Sequence, residues 1–93
     1  MGYNDGEMDA RRKRMLFRSW HRGMREMDML LGKFAEQHLE GFSDIQLDRF
    51  EAILAEIDPD IYNWLSGREP IPDDLQNDVM EMLKKFTLSI NSF

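Results

Sequence analysis

Leu16, Trp20, Met24, Met27, Leu31 and Phe34 follow one another at gaps of 4, 4, 3, 4 and 3 residues, the spacing of one face of an α-helix. Gly23 interrupts that stripe, and a glycine inside a helix is about 1 kcal/mol less favourable than alanine. The pattern therefore predicts two helices meeting at a junction. The first runs from about Ala10, capped by Asp9, to His21; the second runs from Gly23 to just before Gly41, a fitting residue for the position after a helix end. A third helix has the clearest start in the chain. Ser43 and Gln46 form a capping box, Phe42 and Leu47 form its hydrophobic staple, and Leu47, Phe50, Ile53, Leu54 and Ile57 supply its buried face. Asp58-Pro59 then resets the chain, with the aspartate as cap of a short fourth helix from Pro59 to about Ser66, closed by Gly67. A fifth is predicted from Pro72 to about Thr87, burying Leu75, Val79, Met82, Leu83 and Phe86. Five helical segments and few β-branched residues predict an all-α, compact five-helix bundle in a single domain over residues 10–87, with a flexible start (1–9) and a tail (88–93).

Composition bounds what such a bundle does. The chain has 93 residues, 42% of them hydrophobic, which is enough for a modest core and little more. It has no cysteine, so no disulfide framework or thiolate metal site is available. No apolar run approaches the roughly 18–20 residues that a spanning helix needs. The net charge of −6 hides an uneven distribution: residues 10–25 carry seven Lys or Arg and no acid, while residues 26–93 carry fifteen acids against five bases. That split fits a basic contact surface on an acidic body, and equally one helix attracted to the others. The Arg-rich first helix superficially resembles a mitochondrial transit peptide, but its apolar stripe continues to position 34 and assigns it to the fold.

Candidate chemistry is sparse. His21 and His38 are the only histidines, seventeen residues apart and without a carboxylate at ligand spacing, so no metal site is expected. No nucleophile elbow and no glycine-rich phosphate loop occurs, and catalytic residues are expected to be none. Arg11, Arg12, Lys13, Arg14, Arg18, Arg22 and Arg25 could track phosphates, although the acidic remainder would repel a polyanion. Met15, Met24, Met27, Met80 and Met82 read as core fillers. Trp64 reads as the anchor of its short helix, and Asp60 as a residue favoured by the positive helix start. Around the junction, Arg22 and Glu26 allow an i,i+4 ion pair in its less favourable order. A glycine there gains meaning if another backbone must approach or a bend must present side chains. On these residues alone, one reading is a small basic-faced adaptor or antitoxin-like regulator that binds nucleic acid or another small protein.

The junction carries more. Arg22-Gly23-Met24-Arg25-Glu26 has the form R-G-x-x-E and is followed by Met27-Asp28. Upstream lies Arg18-Ser19-Trp20-His21; downstream come Leu30, Leu31 and Phe34, the Asp58-Pro59-Asp60-Ile61-Tyr62-Asn63-Trp64 segment, and Glu69-Pro70-Ile71-Pro72. In the order and spacing of these blocks, over about residues 10–87, the chain resembles the succinate dehydrogenase assembly factor family, the small flavinylation factors of bacteria and mitochondria. The resemblance implies an assembly chaperone, not an enzyme. Such a protein binds the flavoprotein subunit of succinate dehydrogenase, or of fumarate reductase in some bacteria, and promotes covalent attachment of FAD to a histidine there. It implies no cofactor of the chain's own, since the FAD is the partner's. No nucleic acid, no membrane insertion and a monomeric free state are expected.

On that basis Arg18, Arg22, Gly23, Met24, Arg25, Glu26 and Asp28 are the expected partner-binding residues, with Asp60 and Trp64 as a secondary contact. Gly23 is expected to admit close backbone approach, with Arg22 and Glu26 facing outward as directed polar contacts and Arg18 and Arg25 steering toward an acidic surface. A direct proton-transfer role for Glu26 or His21 is the lesser alternative. The start of the chain carries no presequence, which places it by expectation in a bacterial cytoplasm rather than the mitochondrial matrix.

Overall fold

Asp9 accepts the backbone N–H of Arg12 at 2.9 Å and so opens α1, Ala10–Trp20, as the sequence predicts. The computed structural model describes residues 8–90; positions 1–7 of the expected flexible start and 91–93 of the expected tail lie outside that range, while residues 88–90, expected in the tail, continue the last helix. After a four-residue turn, α2 (Arg25–His38) runs back along α1 and tightens into a 3₁₀ turn, Leu39–Gly41. Gly41 sits inside that turn without a positive φ, so it does not close α2 as a left-handed cap. The capping box forms as expected at α3, Asp44–Leu54. Gln46 N–H donates to Ser43 Oγ at 3.2 Å and Ser43 N–H to Gln46 Oε1 at 3.0 Å, while Phe42 and Leu47 are both buried. The fourth helix is α4, Asp58–Leu65, and the chain leaves it through Gly67 at φ +81°, where a side chain would be strained.

The fifth helix starts later than its proline suggested. Pro72 caps only a 3₁₀ turn, Asp73–Leu75; Gln76 is extended, and α5 runs Asp78–Ile90. Asn77 is the residue that starts it, its side chain accepting the Met80 N–H at 3.0 Å. Asp78 adds an anchor between helices, accepting Val79 N–H at 2.8 Å, the Arg49 guanidinium at 2.8 Å and the Gln46 amide at 3.1 Å. Those three donors, the Gln46 amide foremost, hold its carboxyl below the usual carboxylate range.

No strand occurs among the described residues, and the five helices close around one core. Phe34 of α2 sits at its centre, with ring centroids 5.4 Å from Phe50 of α3 and 5.6 Å from Phe86 of α5. Met27, Leu30, Leu31, Ile53, Ile61, Met80 and Leu83 complete a sealed apolar interior. On α5 the buried methionine is Met80; Met82 is only partly covered. The α1–α2 hairpin closes through a contact that the sequence pattern does not announce. A Cβ on Gly32, in the middle of α2, would lie 2.2 Å from the Trp20 ring, so the indole occupies the space a side chain would take. The Trp20 indole N–H then donates to Glu36 at 3.1 Å, one turn farther along α2.

Candidate partner-docking site

The turn between α1 and α2 is built from four residues in unlike conformations. His21 ends α1, its N–H donating to Arg18 O at 3.3 Å; Gly23 lies at φ +102°; Met24 is extended and precedes α2. A Cβ on Gly23 would meet nothing within 4 Å, so glycine is needed here for its backbone angle and not for a close approach within the fold. The Asp28 carboxylate reaches back to accept the Arg22 N–H and staples the turn to the start of α2.

Arg22 does not face outward. Its side chain is 11% exposed and points into the seam between α1–α2 and α3–α4. Nε donates to Asp58 Oδ1 at 2.9 Å, Nη1 to Leu54 O at 2.7 Å and Nη2 to Glu56 O at 2.6 Å. The Leu54 carbonyl ends α3 and the Glu56 carbonyl lies two residues beyond it, where backbone acceptors lack helical partners and the negative end of the dipole favours a cation. Asp58, itself 7% exposed, does not cap α4 through its side chain as the sequence suggested, because its carboxylate is turned to Arg22. Ile57 takes the cap position, and it is 62% exposed instead of buried on α3. The i,i+4 ion pair that the sequence allows between Arg22 and Glu26 is therefore not made, and Arg22 is not the outward polar contact expected of it.

What remains outward is Gly23, Met24, Arg25 and Glu26. Met24, expected both in the core stripe and among the partner-binding residues, is 41% exposed, and Ile57 lies in sequence between Glu56 and Asp58, two of the three residues that bond the Arg22 side chain. Arg25 and Glu26 are exposed on the first turn of α2, and no partner for either occurs among the described residues. The turn thus presents an exposed methionine and an opposite-charge pair, and its Arg22 is fastened from beneath by three side-chain hydrogen bonds.

The other expected site residues are placed differently. Arg18 is half-exposed and pairs with Glu51 at 3.3 Å. Arg11 joins it from one helical turn pair away, bonding Asp48 at 2.6 Å and Glu51 at 2.9 Å, and those carboxylates raise its pKa further. Arg12 donates Nε to Leu39 O at 2.7 Å and also reaches Phe42 O, satisfying the carbonyls at the end of α2. Arg11, Arg12, Arg18 and Arg22 are thus spent on internal acceptors, so much of the basic stretch binds α1 to the acidic remainder. This leaves few cations for a phosphate backbone and weakens the nucleic-acid reading. Asp60 lies half-buried on the first turn of α4. Trp64 is buried and lines a cleft of about 550 Å³ with Leu65, Arg68, Ile71, Lys84 and Leu88, which shares no residue with the turn. Trp64, expected as a secondary contact, therefore anchors its helix and faces a separate cleft. Sequence reasoning missed Asp58 and Ile57 here. A buried carboxylate beside a helix-starting proline looks like a cap in sequence, and an isoleucine at the end of an apolar stripe looks like core.

A family model described as flavinator of succinate dehydrogenase matches residues 13–87. The chain is 43% identical over 82 residues to succinate dehydrogenase assembly factor 2, mitochondrial, of Danio rerio, covering 86% of this chain and 52% of that protein. It is 33% identical over 78 residues to the protein of the same name from Dictyostelium discoideum, covering 84% and 55%. A third, from Meyerozyma guilliermondii, is 37% identical over 81 residues, covering 83% and 60%. The chain spans half to three-fifths of the length of these curated relatives. All three carry "mitochondrial" in their names, which overturns the expectation of a bacterial cytoplasm. Matched over most of its length by that model and by these relatives, the chain belongs to the family of succinate dehydrogenase flavinators, an assembly-factor family.

Proposed function

We propose that this chain is an assembly chaperone that docks through its α1–α2 turn onto the flavoprotein subunit of succinate dehydrogenase and promotes covalent attachment of FAD to a histidine of that subunit. The observation that carries the reading is the pairing of an exposed Arg25–Glu26 step, without a partner among the described residues, with a turn that Arg22 pins in place from inside. A rigid turn loses little freedom on docking, which favours binding by a small surface. The flavin and the acceptor histidine both belong to the partner, so the chain contributes orientation and not acid–base chemistry. Holding two reacting groups at the right approach is worth a large rate factor by itself. FAD is bound by the flavoprotein, and this chain supplies no separate site for it. Arg22 acts as the brace; Gly23, Met24, Arg25, Glu26 and Ile57 form the contact.

The test uses the two proteins together. Gly23→Arg adds a long side chain that meets open space but strains a turn held at φ +102°. It is therefore expected to lower the melting temperature modestly, to keep most of the helical circular dichroism signal, and to lose co-purification of the flavoprotein. Glu26→Ala is expected to lower in-gel fluorescence of covalent flavin in a strain lacking the wild-type gene. Unchanged fluorescence and undiminished co-purification in both variants would remove the turn from the interface.

A further inference from the structure

The outer face of α1 carries a feature that the turn does not use. Phe17 is 62% exposed, although the helix has a buried face available to large apolar residues. Its ring stacks on His21, with centroids 3.9 Å apart and an interplanar angle of 15°. His21 Nδ1 lies 2.7 Å from Phe17 O, and since a carbonyl only accepts, Nδ1 carries the hydrogen. One turn back, Lys13 and Arg14 are exposed and have no partner among the described residues, whereas Arg11, Arg12 and Arg18 are all bonded internally. Positions 13, 14, 17 and 21 share one helical face.

We propose that this face is a second part of the docking surface, with the Phe17–His21 stack as an apolar anchor and Lys13 and Arg14 as its charged rim, and that its occupant is an acidic patch on the folded protein partner. The proposal rests on the docking function above and extends that surface, because His21 runs directly into Arg22 and Gly23. Charge complementarity selects the occupant: among the described residues, the cations of α1 that no acid or carbonyl compensates, Lys13 and Arg14, lie on this side. Two free cations are too few to hold a nucleic-acid backbone at moderate salt, whereas an aromatic anchor rimmed by charge is the usual form of a protein-binding hot spot. The stack and the Nδ1 hydrogen bond fix both rings before contact, so their ordering is not lost on binding.

Affinity of the purified chain for the purified flavoprotein subunit tests this, with Phe17→Ala, the double variant Lys13→Glu/Arg14→Glu, and Glu26→Ala compared at low and moderate salt. All three replace exposed residues, and circular dichroism checks their folding. The expected result is a loss of about tenfold or more in affinity for Phe17→Ala, and a similar loss for the double variant that shrinks as salt rises. If Glu26→Ala weakens binding while the α1 variants stay within twofold of wild type, the α1 surface is refuted and the turn stands. If wild type shows no binding to the flavoprotein at all, both readings fall. Salt-sensitive binding to duplex DNA or to anionic phosphatidylserine vesicles, lost in the double variant while flavoprotein affinity is unchanged, would assign the face to a different occupant and overturn the proposal.

Discussion

Arg22 shows how a residue can be found in a sequence for the right reason and given the wrong task. The R-G-x-x-E pattern located the turn, because a glycine within a helical stripe needs a cause, and its φ of +102° supplies one. Nothing local in sequence could reveal that the guanidinium faces inward, since its acceptors lie 32, 34 and 36 residues farther along the chain. The ion pair it makes with Asp58 is nearly sealed from solvent, and removing one member of such a pair strands the other. Arg22→Ala is therefore expected to cost about 3–5 kcal/mol, read as a large fall in the urea midpoint. Arg22→Lys is expected to recover only part, because an ammonium cannot reach one carboxylate and two carbonyls as the planar fork does. Asp58→Asn, which keeps the two carbonyl bonds, is expected to be milder than Arg22→Ala. A stable Arg22→Ala protein that had lost its partner would instead place Arg22 in the contact itself.

At the scale of the helices, the features read correctly were those whose causes lie within a turn of one another. The capping box of α3, the Asp9 start of α1 and the Gly67 close of α4 are all local bonds, and the sequence displays both ends of each. The start of α5 was missed because Pro72 suits a 3₁₀ turn as well as an α-helix, and only the Asn77 and Asp78 bonds decide between them. Gly32 was passed over because its cause is Trp20 on another helix. Its lack of a side chain lets α1 and α2 approach, and that contact in turn sets where the turn between them points. Gly32→Ala should gain helix propensity of about 1 kcal/mol yet lose more through crowding, since inserting a methyl into a filled space typically costs about 1–3 kcal/mol. The expected outcome is a lower melting temperature with altered indole fluorescence as the Trp20 ring is displaced. A melting temperature above wild type would mean that the ring yields freely and that the hairpin does not depend on this packing.

Over the whole molecule, charge sets how the fold responds to acid, and two groups of residues act in separate ranges. Asp9 and Asp78 are carboxylates at helix starts held below their ordinary 3.8, Asp9 chiefly by the Arg12 backbone N–H and Asp78 chiefly by the Gln46 amide. Their stabilising contribution is complete above that value and is lost only as pH falls through their lowered folded values. His38 responds earlier. Its ring lies 4.6 Å from Phe34 and 5.9 Å from Phe42, and partial burial there pushes its pKa below the ordinary 6.5. Lys85 is the charged neighbour from α5 on the same recess, lined also by Met82, Phe86 and Ser89, and offers no carboxylate to favour a protonated ring. Because the unfolded chain binds that proton more readily, stability is full above about pH 6.5 and declines as pH drops through the lower folded value. Denaturant unfolding of wild type is therefore expected to show a falling midpoint before the carboxylate range is reached, and His38→Gln, which cannot titrate, should flatten that part of the curve while leaving the steeper loss below 3.8 intact. An unaltered slope in His38→Gln would mean that the aromatic recess at the end of α2 admits a charged ring without cost, and that acid acts on this fold through its helix-start carboxylates.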